Sequence, residues 1–248
     1  MIQAKQPYLI TIVSGKGGVG KSMITANIAY RLSELGKKVL AIDADIMCPN
    51  LHLLFGCNPN LRLDDWIYKR SSAVRIIHNI YENLDIIAGT AGNSNLDLQD
   101  YVSFIDLYQE LLLNTDYDYI LVDTAAGISK NLVEFCSFSN KISVVITDEP
   151  TSILDGYGLI KILQNYVDTA KIDLILNNII DDEDAKDISN KINQATNHFL
   201  NLEFNILGVI PYNRAVRQSI LRQEVLSKIL PDIDVVQAIN KIVTQLPN

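Results

Sequence analysis

The chain has 248 residues, 48% of them hydrophobic, and a formal net charge of −8 from 21 Lys+Arg against 29 Asp+Glu. Residues 1–248 are expected to form a single α/β domain, because no Ser/Gly/Pro-rich linker, low-complexity stretch or internal repeat divides them. The negative charge argues against a mainly electrostatic grip on nucleic acid or anionic lipid, no run of 18 apolar residues is available to span a bilayer, and no signal-peptide core is visible.

In chain order, apolar strand-like runs alternate with helical stretches. Strands are expected at 8–13, 38–43, 84–88, 118–123, 141–147, 172–177 and 205–210. Helices are expected near 21–35, 102–113, 129–138, 151–168, 183–198, 213–223 and 232–246. Alternation of this kind predicts a doubly wound, mostly parallel sheet with helices on both faces. Ligands of such sheets bind at the carboxyl ends of the strands. Cys48, Cys57 and Cys136 form no C-x-x-C pair and read as free thiols in a reducing cytoplasm. His52, His78 and His198 are isolated, so no metal-ligand spacing is present.

The first strand runs into Gly15-Lys-Gly-Gly-Val-Gly-Lys-Ser22, which fits G-x-x-x-x-G-K-[ST], the phosphate-binding loop of nucleotide triphosphatases. Backbone N–H groups and the positive helix end face the phosphates there, and glycines let the backbone approach closely. Gly15, Lys16, Gly17, Gly18, Val19, Gly20, Lys21, Ser22 and Met23 are the expected nucleotide-binding segment. Lys21 reaches the β- and γ-phosphates in this scheme, and the Ser22 hydroxyl ligates Mg²⁺.

Two carboxylates, Asp43 and Asp45, close the second strand beside that loop. Phosphoryl transfer needs an acid there, to hold the magnesium water shell or to orient the attacking water, although turn aspartates are common after any strand. Asp123 ends the fourth expected strand, Ile120-Leu-Val-Asp123, and is the second expected magnesium-binding feature.

A second lysine inside the loop, Lys16, completes K-G-G-V-G-K-S, which resembles the deviant loop of the MinD/ParA-type ATPases. The resemblance implies that Lys16 crosses a dimer interface to the partner's nucleotide, giving a homodimer around ATP. Asp43-Ala-Asp45-Ile-Met-Cys-Pro-Asn50 is similar to the family's first switch segment. There the position of Asp45 polarises the hydrolytic water and Asp43 supports the magnesium shell. Asn177 and Pro211 fall where the family frames adenine. The catalytic set implied is therefore Lys16, Lys21 and Asp45, the metal set Ser22, Asp43 and Asp123, and the cofactors ATP and Mg²⁺. The residues alone do not exclude GTP.

Residues 123–163 and the segment Leu207-Gly-Val-Ile-Pro-Tyr-Asn-Arg-Ala-Val-Arg-Gln-Ser219 are similar to the FlhG/FleN flagellar-number branch. Two features depart from that branch as expectations from the sequence. Only seven residues precede the first strand, so the activating N-terminal extension is absent, and the chain stops at Asn248 directly after the last expected helix. Residues 232–246 are amphipathic but carry Lys241 against Asp232 and Asp234, so they read as a packing helix with weak or no direct membrane binding. Arg214, Arg217 and Arg222 read as a solvated helix face, and Trp66 with Tyr68 as core.

The function implied is a slow, ATP-dependent dimerisation switch of the FlhG/MinD type, regulating the placement or number of a cell-surface structure or a division site. It is cytoplasmic, recruited to the inner face of the membrane by an activating or effector protein of the flagellar or division machinery. The alternatives are a ParA-type DNA-segregation ATPase, which the net charge disfavours, and a metabolic phosphate-loop ligase or amidase, for which no substrate acid/base set is found.

Overall fold

A computed structural model describes residues 6–89 and 103–247. Among these residues eight strands form one sheet: β1 (Tyr8–Val13), β2 (Val39–Ala44), β3 (Ile77–Tyr81), β4 (Leu84–Ile87), β5 (Tyr119–Thr124), β6 (Lys141–Ile146), β7 (Ile172–Ile179) and β8 (Asn205–Pro211). Their spatial order is β3-β4-β2-β5-β1-β6-β7-β8. Every pairing is parallel except the hairpin of β3 with β4. The phosphate-loop strand β1 therefore lies inside the sheet, flanked by β5 and β6, and all its residues but Tyr8 are fully buried. Such a strand reads as a continuous apolar run because helices cover both faces.

Side-chain alternation sorts the strands between the two faces. Ile10, Ile12, Val39, Ala41 and Leu121 pack with helices α1 (Lys21–Glu34) and α10 (Asp234–Thr244). On the opposite face Leu9, Leu40, Ile42, Ile120 and Val122 pack with α4 (Phe104–Asn114) and with Phe135 of α5 (Lys130–Phe138). Further along that face, α6 (Pro150–Leu163) and α7 (Asp182–Leu200) cover Val144, Ile146, Leu174 and Leu176.

All seven expected strands and seven expected helices are present, with ends moved by a few residues. The expected helix 102–113 begins at Phe104, and residue 102 lies outside the described residues. The expected helix 151–168 stops at Leu163, and a short 3₁₀ turn, Thr169–Lys171, leads into β7. Apart from 3₁₀ turns, three α-helices and one strand among the described residues have no counterpart in the sequence reading. The short helices α2 (Leu51–Leu54), α3 (Leu63–Ile67) and α9 (Leu226–Ile229) last about one turn. The edge strand β3 carries exposed His78 and Asn79, so it has no apolar run to show. Asn83, at φ 60°, makes the turn into β4.

The amphipathic helix α10 is a packing helix. Val235, Val236, Ile239 and Ile242 are completely buried, and its inner face meets α1 and β8. Gly208 of β8 permits this: a Cβ there would sit 2.4 Å from Ile242 Cγ1.

Candidate functional site

The loop between β1 and α1 turns on two glycines in the left-handed region, Gly18 at φ 77° and Gly20 at φ 97°. Both conformations are ones that side-chain-bearing residues rarely adopt. Gly15 is needed for a different reason: a Cβ there would lie 2.2 Å from the backbone oxygen of Asp155, where α6 presses on the loop. Lys21 is buried, and its Nζ donates to Ser14 Oγ at 2.9 Å. Ser14 Oγ in turn donates to the Lys16 carbonyl at 2.7 Å. Burial lowers the Lys21 pKa, opposed by Asp123 and Asp45. Ser14, which holds the Lys21 ammonium, has no place in the sequence reading, since a serine just before a glycine loop has no distinguishing pattern.

Asp43 and Asp123 are register partners on adjacent strands β2 and β5. Both are buried, and both carboxyls are held well above the ordinary carboxylate range, chiefly by desolvation. The Asp123 charge raises Asp43 further, while Ser22 and Lys21 act on Asp123 in the opposite sense. Asp43 accepts from the Leu51 N–H at 2.9 Å and the Asp45 N–H at 3.3 Å. Asp123 Oδ1 is buried without a hydrogen-bond partner. A buried, unpaired carboxylate oxygen beside a lysine and a serine hydroxyl suits a hydrated divalent cation. Among the described residues no group of three or more His, Cys, Asp or Glu could hold a metal by itself.

Asp45 sits on the same rim. Its Oδ1 accepts from the N–H groups of Met47 at 3.1 Å and Cys48 at 2.9 Å, fixing the turn that leads to α2. Asn50 only closes that turn, donating to the Cys48 carbonyl at 3.3 Å. After β5, between the Asp45 turn and β1, Gly127 at φ 79° donates its N–H to the Ser14 carbonyl at 2.9 Å, tying the segment after Asp123 to the phosphate loop. Lys16 points away from the Lys21 cradle. Its Nζ donates to Glu149 and, at 2.8 Å, to Thr151 Oγ1, at the start of α6. Glu149 and Thr151 were visible in the sequence only as part of a family-like stretch, with no sign that they hold Lys16.

A cavity of about 710 Å³ opens beside the loop, lined by Gly18, Gly20, Met23, Asn177, Tyr212 and one face of α8 (Arg214–Arg222). Asn177 is 3% exposed and donates its Nδ2 to the Val19 carbonyl at 2.7 Å. That acceptor fixes the amide orientation, so Asn177 Oδ1 is the group left to accept from a ligand. Pro211 lies at the end of β8 opposite Ile179 and is not among the lining residues; its neighbours Tyr212 and Asn213 take that place. A larger cavity of about 840 Å³ lies between the loop after α3 and α4. It is lined by Trp66, Tyr68, Arg70, Arg75 and Glu110 and contains none of the phosphate-loop residues. Trp66 is thus half-buried, packed against the core while donating to Glu110 at 2.8 Å at the cavity wall, whereas Tyr68, also expected in the core, is exposed.

Fold and site together define a phosphate-loop nucleotide-binding protein of the doubly wound class. Residues 10–226 match the family described as the CobQ/CobB/MinD/ParA nucleotide binding domain, and the chain belongs to that family. It is 30% identical over 226 residues to the antiactivator FleN of Pseudomonas aeruginosa, covering 90% of this chain and 80% of FleN. It is 33% identical over 236 residues to the flagellum site-determining protein YlxH of Helicobacter pylori, covering 94% and 79% of the two chains. Among solved structures, the septum site-determining protein MinD of Pyrococcus horikoshii, complexed with Mg-ADP, superposes with a TM-score of 0.80 at 27% identity, covering 96% of this chain and 94% of that one.

Proposed function

We propose that this chain is an ATPase that works as a switch: it dimerises around Mg·ATP, hydrolyses it slowly, and separates. The observation that carries the reading is the meeting, on one rim of the sheet, of the Lys21–Ser14 cradle, the Asp43–Asp123 pair with its unpartnered oxygen, and Asp45. Adenine is favoured over guanine because Asn177 offers an acceptor, which suits the amino group of adenine and opposes the carbonyl of guanine.

The loop amides and Lys21 hold the phosphates. Ser22, Asp43 and Asp123 would hold Mg²⁺, which when bound neutralises phosphate charge. Asp45 has one oxygen committed to its own turn; its Oδ2, with no partner among the described residues, orients the attacking water. Lys16 completes the partner's site, exchanging its contacts with Glu149 and Thr151 for phosphate oxygens. Turnover is slow until an effector protein completes the site. By analogy with the flagellar and septum-site relatives, the output is the placement or number of a surface structure or division site. The inner face of α10 is committed to the core, so this helix does not present an apolar face to a membrane.

Light scattering with Mg·ATP and Mg·ADP tests the switch. Wild type should dimerise in ATP alone. Lys16→Ala should stay monomeric. Asp45→Ala should bind ATP, lose hydrolysis by at least about 100-fold, as for other transition-state groups, and remain a dimer. An Asp45→Ala protein that hydrolyses at the wild-type rate removes the water-orienting role.

A further inference from the structure

The cavity beside the phosphate loop has a wall that the phosphate and magnesium chemistry does not use. Helix α8 contributes Val216, Arg217, Gln218, Ile220 and Leu221 to it, with Arg214 at its start, so that Arg217 lies between three apolar residues of the wall. The beginning of α1 contributes Gly20 and Met23, and Asn177 supplies the buried acceptor. Among the described residues, Arg217 has no hydrogen-bond or ion-pair partner. It is not placed for helix stability either. It lies in the first four residues of α8, where the helix end is positive, and the first turn carries no acid to offset it. An exposed cation held against the helix field, without a partner, at the wall of this cavity is available to a ligand.

The ligand chemistry follows from the wall. An edge acceptor at Asn177 takes the amino group of the base and leaves both of its faces to be covered. A guanidinium is planar, weakly hydrated and suited to lie flat on an aromatic face. We propose that Arg217 is a base-binding residue, covering one face of the purine and contributing to nucleotide affinity through the base rather than through the phosphates. The proposal rests on the adenine-nucleotide reading of this cavity. Arg214 lines the same cavity one turn nearer the helix end, beside the Asn213–Asp234 hydrogen bond, and serves as the control of equal charge.

The experiment is calorimetric binding of Mg·ATP and of magnesium tripolyphosphate, which lacks the base, to wild type, Arg217→Ala, Arg217→Lys and Arg214→Ala. Arg217→Ala should bind ATP about 3- to 30-fold more weakly, the range of a cation over a ring from exposed to desolvated. Its tripolyphosphate affinity should be unchanged, which also shows the variant folded. Arg217→Lys should recover less than half of the loss on a logarithmic scale, since it keeps the charge without the plane. Equal losses for ATP and tripolyphosphate, full rescue by lysine, or an ATP-specific loss in Arg214→Ala alone would overturn the proposal and leave the nucleotide reading standing. Wild type that binds tripolyphosphate as tightly as ATP would overturn both.

Discussion

Asp43 and Asp123 stand side by side on neighbouring strands, and burial keeps both carboxyls above their ordinary range. The folded, nucleotide-free protein therefore binds more protons here than the unfolded chain does. Stability must then fall as pH rises, from the ordinary carboxylate value of about 4 up to about 8, where the Asp43 carboxyl is held. Asp123→Asn removes one member of the pair. Its nucleotide-free stability should decline less than that of wild type between these limits, by more than about 1.4 kcal/mol, the worth of one pKa unit. Urea unfolding at several pH values measures this, and parallel curves would mean that the pair is not protonated in the folded state. The acids and the phosphate loop were legible in the sequence because their chemistry admits few residue types at fixed spacing. Asn177 was legible only through resemblance, since a lone asparagine after a strand has the same signature as a turn. Arg217 is exposed, as the sequence reading has it; that it also lines the cavity beside the loop is not written in a helix pattern.

At the scale of elements, the strands that were legible are the buried ones, whose apolar runs declare them. The edge strand β3 and the one-turn helices α2, α3 and α9 are set by tertiary contacts and caps, as when the Asp65 carboxylate accepts from the Arg62 N–H at the start of α3. The close seat of α10 on β8 was also invisible, because Gly208 shows its role only when Ile242 is placed against it. Gly208→Ala forces a methyl into that contact, and overpacking of this kind costs about 1–3 kcal/mol. Thermal unfolding should show a lower midpoint. Ile242→Ala alone leaves a cavity, whereas the double variant lets the two changes offset each other, so its loss should be smaller than the sum of the single losses. Strict additivity would show that the two side chains do not meet.

For the whole molecule the decisive feature is that the phosphate-loop strand is interior to the sheet while standing near the beginning of the chain. Tyr8 pairs with Tyr119 on one side, and Ile10 with Lys141 on the other. β1 is thus separated from its neighbours by more than a hundred residues, and its pairings are among the long-range contacts that fold slowly. On a ribosome adding about 5–20 residues per second, the loop emerges many seconds before either flanking strand exists. During that interval the segment is an apolar run followed by a glycine-rich loop, with no sheet to hold its amides in a nest. A nascent chain stalled with β6 still in the tunnel should not retain an immobilised ATP analogue. One stalled beyond residue 226, where the matched domain ends, should do so if the last helix is dispensable for the site. A motif made before both strands that flank it therefore acquires its chemistry only after them, and nucleotide capture reports that the sheet has closed around its centre.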